Sequence, residues 1–416
     1  MKYKVKSLKL LITLFCFFIL TGCPLVDKLS GASGKDPAKF FSEASPQAIT
    51  LVEKAWHGLP GEFINDFHVH VAGGKEDGSF VSPSGKAISK ISNHLKLAAY
   101  LSAAQVKDKT RIDDQYIPHL VKIARNSGHQ MRLYLLAFDK HYDRNGNAAL
   151  DKTEFYVPND YVMKLSRQYP DIFSPVISVH PYRKDAIDEL KKWADQGVRI
   201  VKWLPNVQGI NPADEAIVPF YQAMKKYNMF LLTHAGEEYA LDSHGQQHLG
   251  NPLLLRKPLD LGVKVIIAHC ASAGKNKDLE NPQKKKIHNF DLFLRLMDEK
   301  KYEGLLFADI SGVTQFNRMD VALSVLINRQ DLHHRLLNGS DYPLPAINIL
   351  IHTSKLAKEG YVTEEEQKAL NEIFDYNPLL FDFVLKRTVR LPGTERRFSD
   401  IIFQNNPLLI AEKRLK

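Results

Sequence analysis

Residues 62–70 form the stretch Glu62-Phe63-Ile64-Asn65-Asp66-Phe67-His68-Val69-His70. Its apolar residues predict a β-strand, and side chains two apart on a strand point to the same face of the sheet. We therefore expect His68 and His70 to project together, and two imidazoles placed in this way can bind one metal ion. Histidines two apart also occur by chance, so the prediction depends on where the chain supplies further ligands.

Seven more apolar runs follow this stretch. The eight predicted strands are Phe63–His70, Met131–Phe138, Pro175–His180, Val198–Leu204, Met229–His234, Val263–His269, Leu305–Ile310 and Arg335–Ser340. The helices predicted between and after them are Ala87–Gln105, Asn159–Tyr169, Lys184–Gln196, Pro212–Tyr227, Pro252–Leu261, Asn289–Glu299, Met319–Asn328, Glu364–Phe374 and Pro378–Leu385.

This alternation predicts the fold class. Strands that are apolar throughout, each followed by a helix, indicate buried parallel strands. Eight such units predict an α/β protein with a (β/α)8 TIM barrel. The alternative is an open doubly wound sheet, which would need a glycine-rich phosphate turn after an early strand, and the sequence has none there.

Polar side chains that could bind a metal occur at the C-terminal ends of six predicted strands, the end at which barrel active sites lie. They are His68, His70, His180, Lys202, His234, His269 and Asp341. Because imidazole and charged groups beside a dry core are costly unless they are paired, the set indicates a functional site. Any single member, such as His180, could instead be an ordinary histidine at the barrel mouth.

Five segments in combination resemble the amidohydrolase superfamily, and most closely its amidohydrolase-related (amidohydrolase 2) branch of metal-dependent TIM-barrel hydrolases. These segments are Asp66-Phe67-His68-Val69-His70, Val201-Lys202-Trp203-Leu204-Pro205-Asn206, Thr233-His234-Ala235-Gly236-Glu237, Ala268-His269-Cys270 and Gly339-Ser340-Asp341-Tyr342-Pro343. The resemblance covers roughly residues 61–388. Each segment alone is common, and their combination is specific.

The resemblance implies a role for each matching residue. His68, His70 and Asp341 would bind one metal ion, and His234 would bind in the same centre. Lys202 matches a lysine that some members carbamylate to bridge two metals, although a plain lysine paired with a carboxylate is the alternative. His269 would bind a second metal, or act as an acid or base together with Asp341.

The residue types explain the expected chemistry. Neutral imidazoles and a carboxylate hold one or two borderline divalent ions, with Zn²⁺ the expected metal, and leave a position for water. The metal lowers the pKa of that water, and Asp341 can take its proton and pass it to the leaving group. We expect a metal-dependent hydrolase that acts on a small-molecule amide, lactone or ester. A non-oxidative decarboxylase at the same site and a non-catalytic metal-binding lipoprotein are the alternatives.

Substrate-binding residues are less clearly marked. The candidates are His180, Arg183, Trp203, Glu237 and Arg256, and Glu237 is favoured because it follows His234 closely. Residues 71–86 and 271–288 form long loops that could act as lids or pocket walls. His244 and His248 lie in a polar loop, where solvent exposure is expected.

Residues 1–22 predict a secretory signal peptide. A lysine-rich start precedes the apolar run Leu10–Leu20, which is too short for an ordinary membrane span. Leu20-Thr21-Gly22-Cys23 resembles a bacterial lipobox, which implies cleavage before Cys23 and lipidation of that residue. The alternative is an ordinary signal peptide or an uncleaved anchor. Because residue 24 is proline rather than aspartate, we expect an envelope protein anchored to the outer membrane and facing the periplasm if the host is Gram-negative.

The chain then divides into the signal peptide (1–22), a lipidated tether and lead-in (23–60), the barrel (61–390) and a C-terminal extension (391–416). Loss of the signal's four lysines lowers the net charge from +9 to +5. This mild charge argues against a nucleic-acid partner, so we expect a small-molecule substrate and membrane contact through the lipid only. Cys270 would be the one unmodified cysteine of the mature chain, which leaves no intramolecular disulfide.

Residues 143–154 match an EF-hand calcium loop at positions 1, 3, 5, 9 and 12. Ala148 replaces the glycine that the sharp turn of that loop needs, and a predicted strand precedes it in place of a helix. We therefore expect a surface turn.

Overall fold

Eight parallel strands form the centre of the part of the chain that the structure describes. This computed structural model describes residues 34–59, 63–73, 78–81, 98–108 and 110–404. The strands, labelled β1 to β8 in chain order, are Phe63–His70, Gln130–Leu136, Phe173–Val176, Ile200–Trp203, Phe230–His234, Lys264–Ala268, Leu306–Asp309 and Leu336–Leu337. Each overlaps a predicted strand, and β1 agrees with the prediction at both ends.

Parallel pairing in chain order closes these strands into a ring. Strands β1 to β3 form one sheet and β4 to β8 form another. Single bridges join the two sheets, from Ile177 to Val201 on one side and from Val69 to Tyr342 on the other. The predicted TIM barrel is confirmed.

Helices cover the outside of the barrel. Those after successive strands are Asp113–Arg125, Asn159–Gln168, Ala186–Asp195, Val218–Lys226, Arg256–Asp260, Asn289–Asp298 and Met319–Asn328, and Thr353–Lys358, Glu364–Tyr376 and Pro378–Thr388 follow β8. Shorter or terminal helices are Phe40–Glu43, Pro46–Trp56, Pro205–Gln208 and Ile401–Gln404. The helix predicted over Ala87–Gln105 lies largely outside the described residues, of which 98–103 are helical.

Helix Asp113–Arg125 is not among the helices predicted from the sequence. Pro118 lies inside it, and proline normally disfavours a helix interior because it lacks the amide hydrogen. The helix nevertheless buries Ile117, Leu120 and Ile123 against the core. Burial of this apolar face offsets the cost of the proline.

The apolar core has two parts, and strand alternation separates them. An inner cluster fills the barrel, and its members are Phe67, Tyr134, Leu136, Val176, Ile200, Phe230, Leu232, Ile266, Ala268, Phe307 and Leu337. Neighbouring strand residues face outward, so that Leu231, between Phe230 and Leu232, belongs to the larger cluster under the helices. The inner cluster makes a dry floor below the C-terminal ends of the strands.

The lead-in over residues 23–60 is not a tether in its described part, which is a correction to the prediction. Helix Pro46–Trp56 begins at Ser45, whose side chain accepts a hydrogen bond from the Ala48 amide. Trp56 packs on Phe383 with ring centroids 4.3 Å apart and donates to the Ser127 carbonyl at 3.1 Å. The apolar face of this helix, with Leu51, Val52 and Ala55 buried, packs into the core in the way an ordinary surface helix of the domain does.

The C-terminal extension also folds onto the barrel in its described part. Ile402 and Phe403 are buried, and the Ile402 carbonyl accepts a hydrogen bond from the Asn338 amide at 3.2 Å. Among the predicted lids, residues 271–288 contain an antiparallel pair, Lys275–Lys277 with Lys286–His288. In the first lid, Phe80–Val81 pairs with Phe155–Tyr156, and residues 74–77 and 82–86 lie outside the described residues.

Within the described ranges, the helices are all too short or too polar to cross a bilayer.

Replacing Trp56 with alanine tests whether the N-terminal helix is part of the folded unit. Trp56→Ala should lower the free energy of unfolding by about 3–5 kcal/mol, since a large buried aromatic is removed. Lys54→Ala, at an exposed position of the same helix, is the matched control and should change it by less than about 0.5 kcal/mol. Denaturant titration measures the free energy of unfolding of both variants. A change for Trp56→Ala as small as that for Lys54→Ala would show that the helix is a tether after all.

Candidate metal centre

The polar residues of the site lie directly above the inner apolar cluster. Side chains two apart on a strand share a face, so Ile200 is followed on the inside by Lys202, Leu232 by His234 and Phe307 by Asp309. All six residues are buried. Leu337, Gly339 and Asp341 are also spaced by two, so the chain after β8 places Asp341 on the same inner side as Leu337.

Strand β1 reaches the site through an irregularity. Its register on β2 shifts between Asp66 and Val69, and this bulge lets Phe67 enter the inner cluster while His68 also faces the site. The rings of His68 and His70 lie 5.2 Å apart. The two histidines therefore lie together, as the sequence predicts.

His68, His70 and Asp341 form the first cluster of the site. Asp341 Oδ1 lies 3.1 Å from His70 Nε2 and 3.5 Å from His68 Nε2. One atom from each residue falls within 4.8 Å of the others, the spacing of ligands around one metal ion. Burial alone would raise the pKa of Asp341, but the imidazoles of His269, His68 and His70 outweigh it and hold that pKa below its ordinary value. The carboxylate is thus ionised and able to bind a cation.

Asp309 orients two histidines of the site, and the sequence analysis did not single it out. Its Oδ2 lies 2.9 Å from His68 Nδ1, and its Oδ1 accepts hydrogen bonds from the amides of His269 and Ser311. The Ser311 hydroxyl also donates to Oδ1, so that its oxygen, 2.7 Å from His269 Nδ1, is left to accept. Asp309 therefore holds the proton on Nδ1 of His68 directly and on Nδ1 of His269 through Ser311. Both Nε2 lone pairs are left for the centre.

His234 supplies an unsatisfied ligand atom. Its Nε2 is buried and has no hydrogen-bond partner among the described residues. Its ring lies 5.5 Å from that of His269, and its Nδ1 lies 3.7 Å from Glu238 Oε2. Burial, with help from the neighbouring His269, holds the pKa of His234 well below its ordinary value, so the ring is neutral and its lone pair is available.

Lys202 projects into the same cluster. Its Nζ lies 3.2 Å from His68 Nε2, and no carboxylate of the described residues forms an ion pair with it. The alternative of a carboxylate-paired lysine is therefore not what the structure shows. Burial lowers the pKa of Lys202 to about 8, which makes the neutral amine accessible near neutral pH. A neutral amine is the form that reacts with CO₂ to give a carbamate.

Two turns at the site contain residues in the left-handed region of backbone conformation. Asp341 has φ +62°, and His269, Cys270 and Ala271 have φ +55°, +50° and +49°. Residues other than glycine seldom adopt this conformation, and it costs of order 1 kcal/mol or more for each of them. Two of the four, Asp341 and His269, are residues that the sequence predicts to be functional.

His269 completes the group. Its Nε2 lies 3.8 Å from Asp341 Oδ2, and its ring stacks on that of His68 with centroids 4.8 Å apart. Burial lowers its pKa to about 3, so the ring is neutral. Asp341 thus directs Oδ1 toward His68 and His70, and Oδ2 toward His269.

The donor set fits a divalent metal. Neutral buried imidazoles, an ionised carboxylate and an orphaned ring nitrogen are the features that a Zn²⁺ or similar ion satisfies. His68, His269 and Asp309 also lie within 4.8 Å of one another, but hydrogen bonds already occupy Asp309 and the Nδ1 atoms that face it. The set of His68, His70 and Asp341, with His234 and Lys202 beside it, is the better site.

The residues suggested for substrate binding lie mostly elsewhere. Trp203 is buried under the helices, where its ring packs on Phe220 and Tyr221. Arg256 pairs with Glu299 and Glu280 on the helical layer. Both residues therefore have structural partners and do not reach the centre.

His180 and Arg183 also have structural partners. The backbone occupies both ring nitrogens of His180, with Nε2 2.9 Å from the Gln208 carbonyl and Nδ1 accepting from the Tyr182 amide. Arg183 pairs with Asp139 at 3.2 Å and with Asp185 at 2.7 Å. His180 therefore matches the alternative of an ordinary barrel-mouth histidine.

Glu238, and not Glu237, is the acidic residue that faces the centre. Gly236 has φ +99°, and the turn there directs Glu237 toward Gly274 and the Lys275 amide. Glu238 is buried, and two backbone amides, those of Ala240 and Leu241, donate to its Oε1. Glu238 lies four residues after His234, so alternation places it on the side of His234, and its Oε2 lies 3.7 Å from His234 Nδ1.

The other sequence features lie outside the centre. Asp143 Oδ1 accepts hydrogen bonds from the amides of Asn145 and Asn147 in an exposed turn, as expected for residues 143–154. Glu154, the last position of the loop-like motif, pairs with His244 at 3.0 Å. His244 and His248 are exposed, as expected, although His244 is also paired with this carboxylate. Cys23 lies outside the described residues, and Cys270 is a buried free thiol.

The fold and the site define a metal-binding barrel of the enzyme type. The chain belongs to the amidohydrolase family, because a family model described as Amidohydrolase matches residues 66–370. No curated protein matches the chain.

Solved structures with a distant likeness include a TIM-barrel protein from Bordetella bronchiseptica, with 15% identity, a TM-score of 0.45, and coverage of 75% of this chain and 99% of that one. A probable 2-pyrone-4,6-dicarboxylic acid hydrolase from Acinetobacter baumannii has 14% identity, a TM-score of 0.45 and coverage of 75% and 99%. A 2,6-dihydroxybenzoate decarboxylase from Rhizobium has 14% identity, a TM-score of 0.39 and coverage of 76% and 98%.

Asp309→Asn tests the orienting role of Asp309. The amide cannot accept from both His68 and Ser311 as the carboxylate does, so the affinity for Zn²⁺ should fall by about 10- to 100-fold. Ser311→Ala, which removes the link from Asp309 to His269 but keeps the direct contact of Asp309 with His68, should have a smaller effect. Asp291→Asn, at an exposed helix position, is the control and should leave the affinity unchanged. Competition titration with a chelating dye measures the affinity, and an unaltered value for Asp309→Asn would disprove the role.

Proposed function

We propose that the protein is a metal-dependent hydrolase that cleaves an amide, lactone or ester of a small molecule with activated water. The observation that carries the proposal is the cluster of His68, His70 and Asp341 above the barrel floor, with the unpartnered Nε2 of His234 in the adjoining group around His269. The position of Asp341 supports a catalytic role for this cluster, because its two carboxylate oxygens face different partners. One oxygen is turned to the metal-binding imidazoles and the other to His269.

In this proposal His68, His70 and Asp341 hold a divalent ion, Zn²⁺ by the choice of donors, and His234 joins the same centre. A bound ion of this kind supplies Lewis acidity and lowers the pKa of water. Lys202 would remain a lysine beside one ion, or become a carbamate that bridges two. Its pKa of about 8 and its position beside His68 are compatible with carbamylation.

The chain's own residues then move the proton. Asp341 accepts it from water as general base, and its Oδ2 can return it to the leaving group as general acid. His269 lies 3.8 Å from that oxygen, with its Nε2 lone pair directed to the centre through Ser311. The dry floor of the barrel excludes bulk water from below and strengthens each electrostatic contact of the site.

Turnover of a panel of amides, lactones and esters by zinc-loaded protein tests the function. Asp341→Asn should lower kcat by about 10²- to 10⁴-fold for any substrate that is turned over, because the proton acceptor is lost. His68→Ala should lose bound metal together with activity. Asp320→Asn, an exposed aspartate, is the control and should retain both.

Product analysis in ¹⁸O-labelled water separates hydrolysis from decarboxylation, which uses the same type of centre. One ¹⁸O atom incorporated per bond broken supports the hydrolase. Release of CO₂ without net hydrolysis would replace it with the decarboxylase. Full turnover by Asp341→Asn or His68→Ala would refute the mechanism, and metal binding without turnover of any substrate would favour a non-catalytic metal-binding lipoprotein.

We also propose that Cys23 carries a lipid that anchors the mature protein to the bacterial envelope, on the resemblance of residues 20–23 to a lipobox. Cys23→Ser should leave the precursor unprocessed or release the protein from the membrane fraction. Cys16→Ser, within the predicted signal, is the control and should be processed normally. Mass spectrometry of the N-terminus and membrane fractionation measure these outcomes, and unchanged processing and retention of Cys23→Ser would refute lipidation.

A further inference from the structure

A hairpin at the mouth of the barrel carries a concentration of lysines. Its strands, Lys275–Lys277 and Lys286–His288, follow β6 and therefore lie at the C-terminal end of the barrel strands. We refer to its five exposed lysines as the lysine cluster, which consists of Lys275, Lys277, Lys284, Lys285 and Lys286. A run of lysines is ordinarily a solvated loop, so the arrangement of the charges decides whether the cluster has a further role.

Strand pairing sets like charges opposite one another in the lysine cluster. Lys277 pairs directly with Lys286, and Lys275 pairs with His288. Directly opposite residues of an antiparallel pair project from the same face, and like charges in that position destabilise the pair. The hairpin therefore presents a cationic face that its own folding does not favour.

The other face of the hairpin holds it to the protein. Asn276 is buried, and its side chain donates to Asn289 Oδ1 at 3.0 Å. Ile287, the cross-strand partner of Asn276, packs against the core. Since these two residues turn inward, strand alternation turns the lysines of both strands to the solvent.

The carboxylates beside the hairpin do not neutralise the lysine cluster. Asp278 and Glu280 both pair with Arg295, at 2.7 Å and 2.9 Å. Glu237 Oε1 accepts from the backbone amide of Lys275 at 3.3 Å and not from a lysine side chain. Within the described ranges, no lysine of the cluster forms an ion pair with a carboxylate, so the charge of the cluster is left for a partner outside the chain.

The proposed lipid anchor indicates which anionic partner the cluster meets. A lipid on Cys23 would hold the chain at a bilayer, and the described chain begins at Gly34, eleven residues later. A fully extended segment of that length spans at most about 40 Å. The barrel would thus stay close to a phospholipid surface, where each lysine near anionic headgroups strengthens attachment about fivefold.

We propose that the lysine cluster binds the anionic headgroups of a phospholipid bilayer. This contact is a second attachment of the protein beside the lipid, and it turns the hairpin side of the barrel mouth toward the membrane. The choice of a bilayer as partner rests on the proposed lipid anchor. It does not depend on the reaction proposed for the metal centre.

Lysine footprinting of the full-length lipidated protein tests the proposal. The protein is reconstituted into vesicles of phosphatidylcholine, either alone or with about 30 mol% phosphatidylglycerol. Acetylation by an N-hydroxysuccinimide ester is then followed at each lysine by mass spectrometry. In the anionic vesicles the cluster should react about threefold more slowly. About 0.5 M NaCl should abolish this protection, because the Debye length shortens to about 4 Å.

Lys225 and Lys226 are the internal control for the footprint. Both are exposed at the end of helix Val218–Lys226, which finishes just before β5 begins and so lies at the end of the barrel away from the mouth. They should react at the same rate in both kinds of vesicle, because the proposal turns only the mouth side toward the membrane.

Charge variants of the hairpin separate the cluster from the lipid. With Lys284→Gln, Lys285→Gln and Lys286→Gln combined, Lys275 and Lys277 should lose their protection in the anionic vesicles. The same three positions changed to arginine should keep it, since the charge is retained. Lys225→Gln combined with Lys226→Gln is the matched control and should leave the protection unchanged. Thermal melting verifies that each variant is folded.

Two results would overturn the proposal. Equal reactivity of the cluster in both kinds of vesicle would make it an ordinary solvated loop. Protection by soluble polyphosphate without protection by anionic vesicles would replace the bilayer with a soluble polyanion. The mass of the N-terminus reports the anchor separately. If no lipid is attached, the anchor proposal fails, and anionic vesicles added to the unlipidated protein still decide whether the cluster binds them.

Discussion

The pairing of the last strand with the first is the constraint on which the site depends. The Phe67 amide donates to the Asn338 carbonyl, and the Asp341 amide donates to the His68 carbonyl at 2.8 Å. These bonds close the ring and hold Asp341 beside His68 although more than half of the chain separates them. Gly339 permits the approach, because a Cβ there would lie 3.1 Å from that of His68 and 3.4 Å from that of Ser311.

Once the ring is closed, strand alternation determines which side chains face the interior above the inner cluster. Each inward position just above the inner cluster must hold either another apolar group or a polar group with a partner, because water does not reach it. The chain places Lys202, His234 and Asp309 there, and it satisfies the last of these with His68, Ser311 and a backbone amide. One carboxylate thereby sets the directions of two histidines that belong to different strands.

Much of this could be predicted from the sequence, since buried parallel strands give long apolar runs and polar residues at their ends stand out. The strands, the barrel and the convergence of His68, His70 and Asp341 follow from that pattern. Asp309 obeys the same spacing after Phe307, and its position at the end of an apolar run was the signal that could have identified it. Glu238 could also have been found in this way, because alternation from His234 through Gly236 places position 238 on the side of His234, whereas Glu237 was favoured only by its closeness in sequence.

The helices outside the barrel were harder to predict from the sequence than the strands. Helix Asp113–Arg125 contains a proline and is maintained by the core that it covers, so its local sequence argues against its actual structure. Helix Pro46–Trp56 does have an amphipathic pattern, but its place against Phe383 depends on contacts with residues over 300 positions away. Tertiary packing determines whether the first helix forms and where the second one lies. Local helix propensity carries no information about such contacts.

Two features of the site lower the stability of the fold, and both would be relieved by a bound cation. Burying the unpartnered Nε2 of His234 costs about 1–3 kcal/mol, and the left-handed conformation of Asp341 adds of order 1 kcal/mol. An apolar residue at position 234 and a glycine at position 341 would remove both costs and leave the barrel closure unchanged. In the proposed function, a bound cation would give the lone pair of His234 a partner and would balance the charge of Asp341. These are the costs that a preorganised ligand set would carry, with its donors held in position before an ion binds.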